Sequence, residues 1–86
     1  MNNLTLVIPA KKESESLPIV LEELAKFKCE KLIVLDKNDT ETIDSIKKIP
    51  SIKILYQKNP GYGSALIEGV ENTKTDFFCI FNADGS

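Results

Sequence analysis

The chain has 86 residues, 42% hydrophobic and 28% charged, with a formal net charge of −2. That length allows one small domain at most, the charge excludes a strongly basic nucleic-acid binder, and the apolar content excludes an acidic disordered tail. His and Arg are absent, so neither a His-based triad nor a His-ligated zinc site can be built from this stretch.

Short apolar runs alternate with helical patterns. Leu4-Thr5-Leu6-Val7-Ile8 is a compact strand pattern ended by Pro9. The polar, acidic stretch Glu13 to Pro18 suits a helix start, since proline is tolerated in a first turn. Leu17, Val20, Leu21 and Leu24 follow at helical spacing, with Glu22, Glu23 and Lys26 on the other face. Lys31 to Leu35 reads as a second strand, and a polar stretch from Asp36 to Thr42 ends it. A short helix with Ile43 and Ile46 inward is then closed by Pro50, and Ile52 to Tyr56 forms a third strand. Asn59-Pro60-Gly61-Tyr62-Gly63 is a turn-rich loop. Ser64 to Thr73 reads as a third helix with Ala65, Leu66, Gly69 and Val70 toward the core, and Phe77 to Phe81 as a buried apolar strand.

This β-α-β-α-β-α-β order predicts a Rossmann-like α/β fold with a parallel sheet, because parallel neighbours need crossover connections. Strands apolar almost throughout suit a sheet covered on both faces. Cys29 and Cys79 lie in no metal-type spacing and read as buried free thiols in a reducing compartment. The opening residues lack a signal-like pattern and no apolar run approaches the length of a membrane span, so a cytoplasmic location is expected.

In such a sheet the loops after the strands share one edge. These are Pro9 to Glu13, Asp36 to Thr40, Lys58 to Gly63 and Asn82 to Ser86, and together they can converge on one ligand. Asn82-Ala83-Asp84 places two oxygen-bearing side chains around one small residue, a pattern that suits Mg²⁺ or Mn²⁺ with phosphates as further ligands. Asp84 is the charged member, whereas Asn82 offers a neutral carbonyl better suited to a hydroxyl. The glycines before the third helix let the backbone approach a ligand, and a helix N-terminus favours an anion. The loop is neither a Walker loop nor a dinucleotide fingerprint. Gly69 equally suits tight helix packing, Asp39 and Thr40 read as helix caps, and the lysines at 28, 31, 47 and 48 read as surface charge.

Taken together, the loops resemble those of family 2 glycosyltransferases of the GT-A fold. Val7 to Glu15 is similar to that family's opening strand followed by Ile-Pro-Ala/Thr and Asn-Glu. Leu32 to Thr42 resembles its strand followed by Asp-Asp-Gly-Ser-Thr-Asp, and Lys58 to Gly69 its cation and Gly-rich turn. Phe77 to Ser86 resembles its strand ending in the metal-binding Asp-x-Asp motif. Gly-Ser after the motif, Gln-Lys and Gly-x-Gly lean toward the polyprenyl-phosphate, dolichyl-phosphate mannose synthase-like branch.

The resemblance implies an incomplete GT-A fold, with residues 1–86 as the N-terminal nucleotide-sugar-binding part of a longer domain. Pro9, Ala10, Glu13, Asp36, Lys58, Gly63, Asn82, Ala83 and Asp84 would bind the nucleotide sugar, and Asp84 would hold Mg²⁺ or Mn²⁺. The implied reaction is an inverting displacement on a UDP- or GDP-linked sugar, with polyprenyl phosphate as one acceptor class and the parent protein at the inner face of a membrane. The family's catalytic base and acceptor region follow the Asp-x-Asp motif, so this stretch alone is expected to bind but not to catalyse.

Three departures from the family pattern stand out. Lys37 replaces the second acidic residue, Asn38-Asp39 replaces Gly-Ser, and Asn82 replaces the first Asp of Asp-x-Asp. Each of Lys37 and Asn82 removes a carboxylate, which keeps open an alternative reading as a non-catalytic nucleotide-binding or interaction module. A nucleotidyltransferase fits less well, because Pro9-Ala10-Lys11-Lys12 is not its Gly-rich loop.

Overall fold

The computed structural model describes residues 3–83. The elements run β1 (Leu4–Pro9), α1 (Ser16–Leu24), β2 (Glu30–Leu35), α2 (Thr40–Ile46), β3 (Lys53–Tyr56), α3 (Tyr62–Glu71) and β4 (Phe77–Ile80). The strands form one sheet in the order β3-β2-β1-β4, and every pairing is parallel. The alternating pattern read from the sequence is thus an open Rossmann-like α/β fold, consistent with part of a GT-A fold. Its first three strands step away in one direction, and β4 returns to the opposite side of β1. The strand order therefore reverses between β1 and β4, where open α/β sheets characteristically leave a crevice.

The two faces of the sheet carry separate cores. On one, Leu17, Val20, Leu21 and Leu24 of α1 and Ile46 of α2 pack against Leu6 and Ile8 of β1 and Ile33 and Leu35 of β2. On the other, Ala65 of α3 packs over Val7, Leu32 and Val34. Central β1 and β2 are thus buried on both faces, which explains why their sequences are continuous apolar runs rather than alternating ones. Gly69 lets α3 approach closely: a Cβ there would lie 2.5 Å from Val7 Cγ1 and 3.0 Å from Val34 Cγ2.

Several elements differ from the sequence reading, each for a local reason. α2 begins at Thr40, ahead of the expected start, because its first turn is polar and carries no apolar periodicity. Thr42 in that turn is fully buried, and its hydroxyl accepts a hydrogen bond from the Glu13 backbone N–H at 3.0 Å. α3 begins at Tyr62, directly after Gly61 takes φ +102°, a conformation that favours glycine. Leu66 and Val70 are only half-buried, while Ala65 and Gly69 face the sheet.

The last strand is not buried. Phe77 is 65% exposed and Phe78 50% exposed, because β4 is an edge strand beyond the reach of the helices. Cys79 shares that exposure and Cys29 is half-buried, so the expectation that both thiols are buried fails, while both are free of a disulfide as read from the sequence. Lys31 departs in the other direction. It is buried, and its Nζ donates to the Phe27 carbonyl at 2.6 Å.

Candidate functional site

A cavity of about 860 Å³ opens at the carboxyl edge of the sheet, over the β1/β4 reversal. That volume is within the range of small-molecule sites, roughly 300–1,000 Å³. All four strand-end loops reach it. Pro9 to Ser14 contribute after β1, Asp36 and Asn38 to Glu41 after β2, Gln57 and Pro60 to Tyr62 after β3, and Asn82 and Ala83 after β4. The parallel register places these loops side by side: Ala10 N–H donates to Val34 O at 2.9 Å, Gln57 N–H to Leu35 O at 2.9 Å, and Phe81 N–H to Val7 O at 3.0 Å.

Of the residues singled out from sequence, Pro9, Ala10, Glu13, Asp36, Asn82 and Ala83 line this cavity. Lys58 and Gly63 do not. Lys58 is exposed, and its backbone N–H donates to the Glu68 carboxylate at 2.7 Å, joined by the Asn59 N–H at 3.0 Å. Apart from its chain neighbours and its own helix backbone, no described residue lies within 4 Å of a Cβ placed on Gly63, so no packing contact among the described residues demands glycine there. Asp84 lies outside the described residues.

Hydrogen bonds hold much of the polar rim in place. Asp36 Oδ1 accepts the Asn38 N–H at 2.8 Å, an Asx-type turn. Glu13 Oε1 accepts the Ser16 hydroxyl at 3.1 Å, and the Glu13 carbonyl accepts the Leu17 N–H at 2.9 Å, so this residue also anchors the start of α1. Asp39 stands at the N-cap position of α2 but makes no side-chain cap. Its Oδ2 instead accepts the Lys12 N–H at 2.7 Å, across to the β1–α1 loop. Tyr62 hydroxyl donates to Asn82 Oδ1 at 3.0 Å, tying the start of α3 to the end of β4.

Residues 5–86 match the profile of Glycosyl transferase family 2. The chain belongs to that family. Uncharacterized glycosyltransferases of Mycobacterium tuberculosis and Mycobacterium bovis are 34% identical to it over 83 residues, which cover 95% of this chain and 37% of each relative. The family 2 chain thus spans little more than a third of the length of these relatives.

Within this family 2 site, sequence reasoning missed three polar residues. Asp39 and Thr42 join two loops, and Tyr62 orients Asn82. Tyr62 carried a usable signal, as an aromatic residue between two glycines in a strand-end loop. Thr42 carried none, because a buried threonine beside Ile43 is indistinguishable in sequence from a solvent-facing one. Among the described residues, no group of three His, Cys, Asp or Glu side chains gathers to hold a metal ion, and no helix is long and apolar enough to cross a membrane.

Proposed function

We propose that this chain is the nucleotide-sugar-binding part of an inverting, metal-dependent glycosyltransferase, with UDP- or GDP-linked sugar as donor. The observation that carries the reading is the convergence of all four strand-end loops on one cavity at the strand-order reversal. Family membership supports transfer from a nucleotide sugar to an acceptor. Pro9, Ala10, Glu13 and Asp36 form the nucleoside side of the cavity in this reading, and Asn82 and Ala83 the diphosphate side.

Mg²⁺ commonly takes one or two carboxylates and completes its shell with phosphate oxygens and water. Asp39 and Glu13 already accept hydrogen bonds from Lys12 and Ser16, and Asn82 accepts one from Tyr62. The family resemblance, through the position matching the last Asp of Asp-x-Asp, assigns Asp84 to hold Mg²⁺ or Mn²⁺. Such an ion supplies Lewis-acid stabilisation of a diphosphate leaving group. The general base for the acceptor hydroxyl belongs, in this reading, to sequence beyond this stretch, as does the acceptor site. Polyprenyl phosphate at the inner face of a membrane is one acceptor class that fits this reading, on the Gly-Ser after the motif, Gln-Lys and the Gly-x-Gly loop.

Calorimetric titration of the folded chain with UDP and GDP, with and without Mg²⁺, tests the reading. The expected result is weak, Mg²⁺-dependent heat with one of the two nucleotides. Absence of metal-dependent heat with both removes the donor-binding assignment. A second reading, a binding module without transfer chemistry, draws on Lys37 and Asn82, which replace carboxylates of the family pattern. Donor-sugar hydrolysis by the full-length parent separates the two.

A further inference from the structure

We infer that Asp39 and Thr42 are positioning residues for the nucleotide cavity, clamping the β1–α1 loop to the β2–α2 loop and the first turn of α2. The inference rests on the donor-binding reading above. Both loops line the cavity, through Pro9 to Ser14 on one side and Asp36 and Asn38 to Glu41 on the other. The distance between them determines how a planar base or ribose would fit. Within the sheet, the Ala10 N–H to Val34 O bond links the strands just before the loops diverge. Beyond that point the Asp39 carboxylate takes the Lys12 N–H at 2.7 Å, and the Thr42 hydroxyl takes the Glu13 N–H at 3.0 Å.

Three observations indicate that the clamp does more than fill hydrogen-bonding capacity. Lys12 has φ +55°, a left-handed conformation that a lysine adopts only at a cost. That conformation is held where the Asp39 carboxylate receives its N–H. Asp39 also occupies the N-cap position of α2 without capping it, so its carboxylate serves the neighbouring loop instead. Thr42 is 0% exposed and its hydroxyl is directed at a single backbone N–H of that loop. A site whose loops are fixed before the ligand arrives loses less conformational entropy on binding. The clamp therefore contributes affinity through the loop positions it fixes.

The test uses Asp39→Ala, Asp39→Asn, Thr42→Val and Thr42→Ser, at a temperature where each is fully folded by circular dichroism. Binding of UDP and GDP with Mg²⁺ is measured by calorimetry, and exchange of the Lys12 and Glu13 amides by NMR. Asp39→Ala and Thr42→Val are expected to weaken binding about tenfold and to deprotect the Lys12 and Glu13 amides respectively. Asp39→Asn and Thr42→Ser keep an acceptor oxygen and are expected to restore most of the affinity and protection. Should Thr42→Val not fold, Asp39→Ala carries the comparison, since Asp39 is only half-buried. Wild-type chain that binds neither nucleotide overturns the donor-binding reading, and the positioning role with it. Wild-type chain that binds, with Asp39→Ala binding equally tightly, overturns the positioning role alone.

Discussion

Replacing Gly69 with alanine should loosen α3 from the sheet. Two effects oppose each other. Inside a helix alanine is favoured over glycine by about 0.8–1 kcal/mol. Against this, the new Cβ would stand 2.5 Å from Val7 Cγ1 and 3.0 Å from Val34 Cγ2, where carbon atoms prefer about 3.5–4.0 Å. Neither valine can yield easily. Both are fully buried, and β-branched side chains are stiff about χ1. The helix must therefore ride outward by roughly the missing ångström, at an overpacking cost of about 1–3 kcal/mol. The upper part of that range applies because two rigid neighbours are struck at once. The expected net loss is about 1–2 kcal/mol, which lowers the melting temperature of a domain this size by roughly 5–15 °C. Thermal unfolding followed by circular dichroism reads this directly. A companion variant sharpens the test: a Val7→Ala background removes the 2.5 Å contact and leaves only Val34 Cγ2 at 3.0 Å, so the same Gly69→Ala change should destabilise less. A Gly69→Ala protein melting at or above the wild-type temperature would refute the packing argument.

Two other outcomes follow from the described geometry. Lys12→Asn keeps the backbone N–H bonded to Asp39 while placing at φ +55° a residue that tolerates it; the urea midpoint should rise by the equivalent of about 0.5–1 kcal/mol, and a fall would show that the lysine side chain matters more than the backbone. The open β4 edge, with Phe77 and Phe78 exposed and no charge between Phe77 and Ile80, should make the isolated chain self-associate in sedimentation velocity, and Phe78→Lys should suppress it; a wild-type chain sedimenting as a monomer at all concentrations contradicts this.

Much of the fold was legible because burial leaves a pattern. Leu4 to Ile8 and Leu32 to Leu35 are apolar on both faces for the same reason that they are central, and Leu17, Val20, Leu21 and Leu24 trace the inner stripe of α1. The strand-end rule then brought together Pro9, Ala10, Glu13, Asp36, Asn82 and Ala83, residues far apart in sequence. Hydrophobicity misled at β4, because an edge strand can be as apolar as a central one and its exposure depends on what lies beside it. The lysine at 31 misled in the opposite sense: a charged residue at a strand start reads as surface, yet its amine reaches a carbonyl four residues back. Lys58 was read for its side chain as an anion partner, whereas the structure leaves it outside the cavity lining and ties its backbone N–H to Glu68. The Asp39 and Thr42 ties were hidden because both acceptors serve backbone N–H groups, which every residue carries and no sequence pattern marks.

The pairing of β1 with β4 also shapes how the chain acquires its structure. β1, β2 and β3 can assemble in the order of synthesis, but the second flank of β1 must wait for the end of the stretch, as the contact between Thr5 and Thr75, 70 residues apart, makes plain. Closing so long a loop is slow and brings little reward until it is complete. The crevice between these strands is then among the last regions to form and the first to open. A ligand seated there would act mainly on the unfolding rate, prolonging the life of the folded state while leaving the rate of folding nearly unchanged.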